Sequence, residues 1–119
     1  MEISKERFAN FIILRVGGDV RVWGRPENSD TPVQTLRAEG HLPGQVIFNL
    51  SQVTRIDSAG IGALVRVIIE CAKREIDLKP ILPRGVAGEA IRRVHIFDNY
   101  PDFPDEAAAI QPNQTVAAS

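Results

Sequence analysis

Cysteine and histidine are scarce in this sequence, which limits the metal and redox chemistry that it can support. Cys71 is the only cysteine among 119 residues, and the two histidines, His41 and His95, stand far apart in the chain. One cysteine excludes an internal disulfide and a thiolate-cluster metal site. Neither histidine has the spacing to Asp, Glu or Cys that a metal site or a catalytic triad needs. We therefore predict no metal, no cofactor and no enzymatic activity, and we expect Cys71 to be a small buried side chain.

The sequence also lacks an excess of charge and a long apolar run. Its formal net charge is −1, and its arginines are scattered, so it has no electrostatic footprint for nucleic acid or an anionic membrane. The longest apolar runs, around residues 11–16 and 61–69, are too short to cross a bilayer. Met1–Arg7 mixes acids with bases, unlike a secretory signal. These absences predict a cytoplasmic protein that binds neither nucleic acid nor a membrane.

The chain has the size and the composition of one ordinary globular domain. Its hydrophobic and charged fractions are 44% and 24%, and 119 residues suffice for one hydrophobic core. Strands alternate with helices through the second half, which predicts an α/β domain with a mixed β-sheet and amphipathic helices packed mainly on one face. We expect this domain to span residues 1–110 and residues 111–119 to form a disordered tail. Nothing in the sequence indicates an oligomeric state.

Turn residues and apolar runs predict the elements of the first half. A Gly-Gly-Asp run separates two apolar stretches within residues 8–22, which predicts a β-hairpin that turns at this run. Asp30 or Thr31 is expected to open a short helix that Gly40 closes. The nearly continuous apolar run Gln45–Leu50 predicts a buried strand near the centre of the sheet.

Two amphipathic helices are predicted in the second half, over Gly60–Lys73 and Gly85–Val94. In the first helix Glu70 is assigned to the outer face. Inward positions of that helix are expected at Ile61, Leu64, Val65, Ile68 and Ala72. Inward positions of the second helix are expected at Val86, Ala90, Ile91 and Val94.

Proline residues shape the expected end of the chain. Leu78–Leu82 is predicted to be a strand, and Pro80 favours an edge position or the entry of a strand over a central position, because proline cannot donate a ladder hydrogen bond. Asp105 is expected to cap a last short helix that reaches Ile110.

The most informative segment joins the buried strand to the stronger helix. Asp57 and Ser58 stand where that helix begins, and a helix N-terminus can accommodate a capping oxygen or a phosphate. Gly60 and Gly62 in the opening turn indicate a backbone that lies close to a neighbour and leaves Ser58 accessible. A simple helix cap remains the alternative interpretation.

Residues Leu50–Leu64, with the core Asp57-Ser58-Ala59-Gly60-Ile61-Gly62, resemble the signature of the STAS family, which includes the bacterial anti-sigma factor antagonists. The resemblance implies that Ser58 is the phosphorylated residue. It also implies a partner, an anti-sigma factor or serine kinase that binds the unphosphorylated protein. The expected switch and partner-binding residues are Thr54, Arg55, Asp57, Ser58, Ala59, Gly60 and Gly62. Thr54 and Arg55 are placed in a loop beside Ser58, where Arg55 could meet a phosphate or remain solvated.

Two departures from the family pattern keep a second function open. Many antagonists have Ser or Thr where this chain has Ala59, and residues 20–30 differ from the family's usual run after the first hairpin. Trp23 in that run could anchor a partner or cover the core. The alternative function is a sensory or scaffolding STAS domain that binds a ligand or assembles a signalling complex and is never phosphorylated.

Overall fold

A computed structural model describes residues 2–21 and 31–110 of the chain. Three predictions fall outside the described residues: the role of Trp23, the choice of Asp30 as a helix cap, and the disordered tail over residues 111–119.

A four-stranded mixed sheet with helices forms the domain, so the predicted α/β class is confirmed. The strand order is β1-β2-β3-β4; β1 pairs antiparallel with β2, whereas β2, β3 and β4 are parallel. In chain order the elements are β1 (Glu2–Arg7), β2 (Ile12–Asp19), α1 (Thr31–Arg37), β3 (Gln45–Arg55), α2 (Ser58–Lys73), β4 (Asp77–Ile81), α3 (Gly85–Arg93) and α4 (106–110).

The hairpin exists, but its predicted position was wrong. The strands turn at residues 8–11, where the Phe8 N–H donates to the Phe11 carbonyl at 2.8 Å, and the Gly-Gly-Asp run lies inside β2. A Cβ on Gly17 would lie 2.9 Å from the Gln52 Cβ, so glycine permits the close pairing of β2 with β3 there. The first strand, β1, was missed because it is a charged edge strand in which only Ile3 is partly buried.

Most helices pack on one face of the sheet, as predicted. Phe48 of β3 and Leu14 of β2 are fully buried there against helix residues that include Leu64 of α2 and Ile91 of α3. The other face carries a smaller cluster of Ile13, Ile47, Ile81 and Ala109.

The short helix α4 covers that second face. Asp105 caps α4, since its Oδ1 accepts from the Ala108 N–H at 2.8 Å, and this prediction is confirmed. Glu106 of α4 accepts two hydrogen bonds from Arg15 of β2, at 2.7 and 2.9 Å. These bonds hold the end of the described chain against the sheet.

The central strand is longer than the sequence indicated. The strand predicted over Gln45–Leu50 continues to Arg55, so Thr54 and Arg55 end β3 and do not lie in a loop. Polar side chains follow Leu50, so the apolar pattern of the sequence ends before the strand does. The backbone of β3 remains extended because β2 still pairs with it as far as Arg55, although its pairing with β4 ends at Asn49. The central position of β3 and the edge position of β4, which contains Pro80, are both confirmed.

The predicted inward faces of α2 and α3 were partly wrong. Leu64 is buried as expected, but Ala72 is exposed and Glu70 is only 4% exposed. In α3, Val86 and Val94 are 78% and 47% exposed. The buried side of α3 consists of Ala87, Gly88 and Ile91. Apolar periodicity cannot show which of two adjacent stripes of residues along a helix meets the sheet. In α3 the stripe with the small residues meets it, because small residues allow close approach.

Candidate functional site

The candidate site begins where β3 passes into α2. Asp57 is the N-cap of α2, and its Oδ1 accepts a hydrogen bond from the Gly60 N–H at 2.9 Å. The Asp57 carbonyl accepts the first intrahelical bond, from the Ile61 N–H, also at 2.9 Å. The backbone of Asp57 is extended, as an N-cap requires. Asp57 therefore supplies the capping oxygen itself and fixes the position of the next residue.

Ser58 and Ala59 form the exposed first positions of α2. The Ser58 side chain is not needed for the cap, because Asp57 provides it. The first N–H groups of a helix lack intrahelical acceptors and carry partial positive charge. An anionic group attached to Ser58 would therefore find a favourable local field without breaking the helix.

The two glycines of the switch segment have different surroundings. A Cβ on Gly60 would lie 2.8 Å from Ile56 Cγ1 and 3.0 Å from the Val20 carbonyl oxygen, so Gly60 lets the end of β2 approach α2 closely. A Cβ on Gly62 would meet nothing within 4 Å among the described atoms. The expected close approach is thus correct for Gly60 and wrong for Gly62.

A charged pair at the end of β2 completes the site and was not predicted from the sequence. Arg21 donates through Nε to Asp19 Oδ1 at 2.9 Å and through Nη2 to Asp19 Oδ2 at 2.6 Å, and its backbone N–H also donates to Oδ1. These hydrogen bonds, first among them those from the Arg21 side chain, lower the pKa of Asp19 to about 2. The sequence carries no motif for this pair. The parallel pairing of β2 with β3 places the C-terminal ends of both strands at the same end of the sheet.

Arg55 and Thr54 are exposed at the end of β3. Arg55 is the register partner of Asp19, and its charge helps to lower the pKa of the Asp19 carboxyl. Asp57 in turn attracts Arg21 and helps to raise the pKa of that guanidinium. The structure thus brings Arg55, Asp57 and Ser58 together with Asp19 and Arg21 at one end of the sheet.

The remaining reactive side chains lie elsewhere. Cys71 is 1% exposed, as predicted, and burial raises the pKa of its thiol to about 12, which leaves it unreactive near neutral pH. His95 Nδ1 lies 2.8 Å from Asp98 Oδ2 on the surface. Across residues 2–21 and 31–110 no cluster of His, Cys, Asp and Glu could hold a metal ion. The helices within the same ranges are too short or too polar to cross a membrane.

A groove of about 390 Å³ lies between β4 and the end of α3. Its apolar wall includes Leu82, Ile91 and Tyr100, and its rim includes Arg92 and Asp98. Grooves of this size accommodate small organic molecules.

The family model described as STAS domain matches residues 2–109, which is most of the chain. No curated protein matches the chain.

Proposed function

Since the chain belongs to the STAS domain family, whose members are generally non-enzymatic binding domains, we propose that it is a protein-binding switch controlled by phosphorylation of Ser58. In this proposal the unphosphorylated protein binds an anti-sigma factor that is also a serine kinase, in the cytoplasm of a bacterium. Phosphorylation of Ser58 by that kinase releases the partner and changes the availability of a sigma factor.

The observation that carries this proposal is that Asp57 and Ser58 have separate roles at the start of α2. Asp57 caps α2, and Ser58 stands exposed beside it with its hydroxyl on a rigid element. A kinase needs an accessible hydroxyl, and a partner needs a surface that keeps its shape. Because the cap does not depend on Ser58, a phosphate would alter the surface charge and leave the helix intact.

The expected effect on a partner follows from charge. A phosphate adds about 1.5 to 2 negative charges at neutral pH. The helix N-terminus tolerates this charge, with a favourable contribution of about 0.3 to 1 kcal/mol. A partner surface that fits neutral Ser58 has no cation of its own to match the new charge, and burying that charge against it costs several kcal/mol. Partner affinity should then fall about a hundredfold or more.

Candidate partner kinases, ATP and mass spectrometry of the peptide around Ser58 test the proposal. We expect one phosphate on Ser58 in the wild type and in the control Ser51→Ala, which removes an exposed serine of β3. We expect none in Ser58→Ala, which should bind the partner constitutively, whereas Ser58→Asp should be folded and bind weakly. Equal affinity of the Ser58→Ala and Ser58→Asp variants for the partner would remove Ser58 from the mechanism.

A second candidate function is a sensory or scaffolding STAS domain that is never phosphorylated. Ala59 in place of a hydroxyl residue and the groove beside Tyr100 favour it. A small-molecule screen followed by NMR distinguishes the two functions. A ligand that perturbs the Tyr100 and Ile91 signals, together with no phosphate on Ser58 from any cognate kinase, would support the sensory function.

A further inference from the structure

The end of β2 packs directly on the first turn of α2. A Cβ on Gly60 would lie 3.0 Å from the Val20 carbonyl oxygen and 3.1 Å from Val20 Cγ2. Val20 stands between Asp19 and Arg21, so this contact places the charged pair beside the turn that carries Ser58. Independently, Asp19 pairs with Arg55 in the register of β2 and β3, which places Asp19 beside the end of β3.

The Asp19–Arg21 pair is local and exposed. Its two side chains are joined through both oxygens of Asp19, yet they are 37% and 50% exposed. Water and salt screen such a pair, and it contributes little to folding stability. Arg21 can therefore change its acceptor without destabilising the fold.

Within residues 2–21 and 31–110, two positive and two negative charges interact at this edge of the sheet. Arg21 and Arg55 supply two positive charges, and Asp19 and Asp57 supply two negative charges. Arg21 interacts first with Asp19 and more weakly with Asp57, the neighbour of Ser58, and Arg55 also interacts weakly with Asp19. A phosphate on Ser58 would add about 1.5 to 2 negative charges near Arg21, and a guanidinium forms with a phosphate the same bidentate fork that it forms with a singly charged carboxylate.

We propose that Asp19 and Arg21 form an arginine latch that detects the state of Ser58. In the unmodified protein Asp19 holds the Arg21 guanidinium. When Ser58 carries a phosphate, Arg21 leaves Asp19 and binds the phosphate, so the modification changes both the charge and the arrangement of side chains at the end of β2. The latch rests on the proposed phosphorylation of Ser58 and adds the residue that responds to it.

The test uses full-length protein with phosphoserine installed at position 58 during translation, so that no kinase is needed. ³¹P NMR measures the second pKa of the phosphate, which is about 6 without such interactions. In Arg21→Gln we expect this pKa to rise by about half a unit or more, because an opposite charge is lost. The control Arg93→Gln, which removes an exposed charge at the end of α3, should leave it unchanged.

A second measurement separates exchange of the arginine from simple repulsion. Carbonyl-detected NMR at about pH 7.5, where the phosphate is a dianion, gives the ¹³C signal of the Asp19 carboxyl with and without phosphate. If Arg21 leaves Asp19, phosphorylation moves this signal more in the wild type than in Arg21→Gln, where no guanidinium can leave. Equal changes in both proteins would show that Arg21 stays on Asp19 and would overturn the latch.

Two further outcomes decide the assignment. An unchanged phosphate pKa in Arg21→Gln, or a rise of the expected size in Arg55→Gln instead, would also overturn it. Failure of every cognate kinase to modify Ser58 would end the proposed function, yet the installed phosphoserine would still decide the latch. The two hypotheses therefore fail separately.

Discussion

The two ends of helix α2 serve different purposes. At its N-terminal end, Asp57, Ser58 and Ala59 are all exposed, and Asp57 makes a hydrogen bond only within the first turn among the contacts described. At its C-terminal end, Glu70 is only 4% exposed although it is charged. One helix thus presents a surface at one end and is anchored at the other.

Glu70 is the centre of the anchored end. Its Oε1 accepts from Arg37 of α1 at 3.1 and 3.2 Å, and its Oε2 accepts from Arg74 at 2.8 Å. Arg74 also donates to the Gly40 carbonyl, just after α1, at 2.9 Å. Burial raises the pKa of the Glu70 carboxyl, but the hydrogen bonds from both arginines outweigh burial and hold that pKa below its ordinary value. A buried carboxylate that joins two elements fixes their relative positions, whereas a pair in which both side chains are exposed, such as Asp19–Arg21, can be exchanged.

The largest effect is expected at the anchored end. Glu70→Ala leaves two partly exposed arginines without their shared acceptor and opens a small void, so the free energy of unfolding should fall by about 1.5 to 3 kcal/mol. Urea denaturation measures this loss. The control Glu89→Ala removes an exposed carboxylate from α3 and should change stability by less than about 0.5 kcal/mol. A similar loss from both variants would contradict the anchoring role of Glu70.

A smaller effect on stability is expected where β2 approaches the exposed N-terminal end of α2. Gly60→Ala should destabilise the protein by about 1 to 3 kcal/mol, because its Cβ would press on Ile56 and the Val20 carbonyl. Gly62→Ala is the matched control: its Cβ meets no described atom within 4 Å, and alanine favours a helix over glycine by up to about 1 kcal/mol. The two changes should therefore have opposite signs in thermal or urea denaturation. A stabilising Gly60→Ala would mean that β2 and α2 are not in close contact.

The cap of α2 should contribute less. Asp57→Ala removes the oxygen that accepts from the Gly60 N–H and should cost about 1 kcal/mol. Asp57→Asn keeps a capping oxygen and should retain nearly all of the stability. Because the cap positions Ser58, Asp57→Ala should also slow phosphorylation, whereas a full rate with Asp57→Ala would rule out that positioning role.

The smallest effect is expected in acid. The folded-state pKa of Glu70 lies below its ordinary value of 4.5, so its contribution to stability is present above about pH 4.5 and is lost as the pH falls through the folded pKa. The stability of the wild type should therefore fall between neutral pH and pH 3.5 somewhat more than that of Glu70→Gln. Urea denaturation at both pH values measures the difference, and equal losses would show that other carboxylates dominate.

The sequence predicted some elements better than others for physical reasons. The helix from Gly60 and the strand from Gln45 were predicted correctly because long apolar patterns indicate that a segment is a buried helix or strand. The strand β1 was missed because an edge strand needs few apolar residues, and its pairing with β2 provides most of its order. The extension of β3 to Arg55 was missed because pairing with β2, which the sequence does not show, keeps polar residues extended beyond Asn49.

The site divides in the same way. The sequence by itself determined the cap residue Asp57, the accessible Ser58 and the family signature around them, because these depend on residues adjacent in the chain. Only the tertiary structure decided that Asp19 and Arg21 lie at the same end of the sheet as Ser58, since parallel pairing of β2 with β3 joins segments separated by more than thirty residues. It also decided that Glu70 is buried, because Arg37 from another helix supplies the charge that makes burial of a carboxylate tolerable.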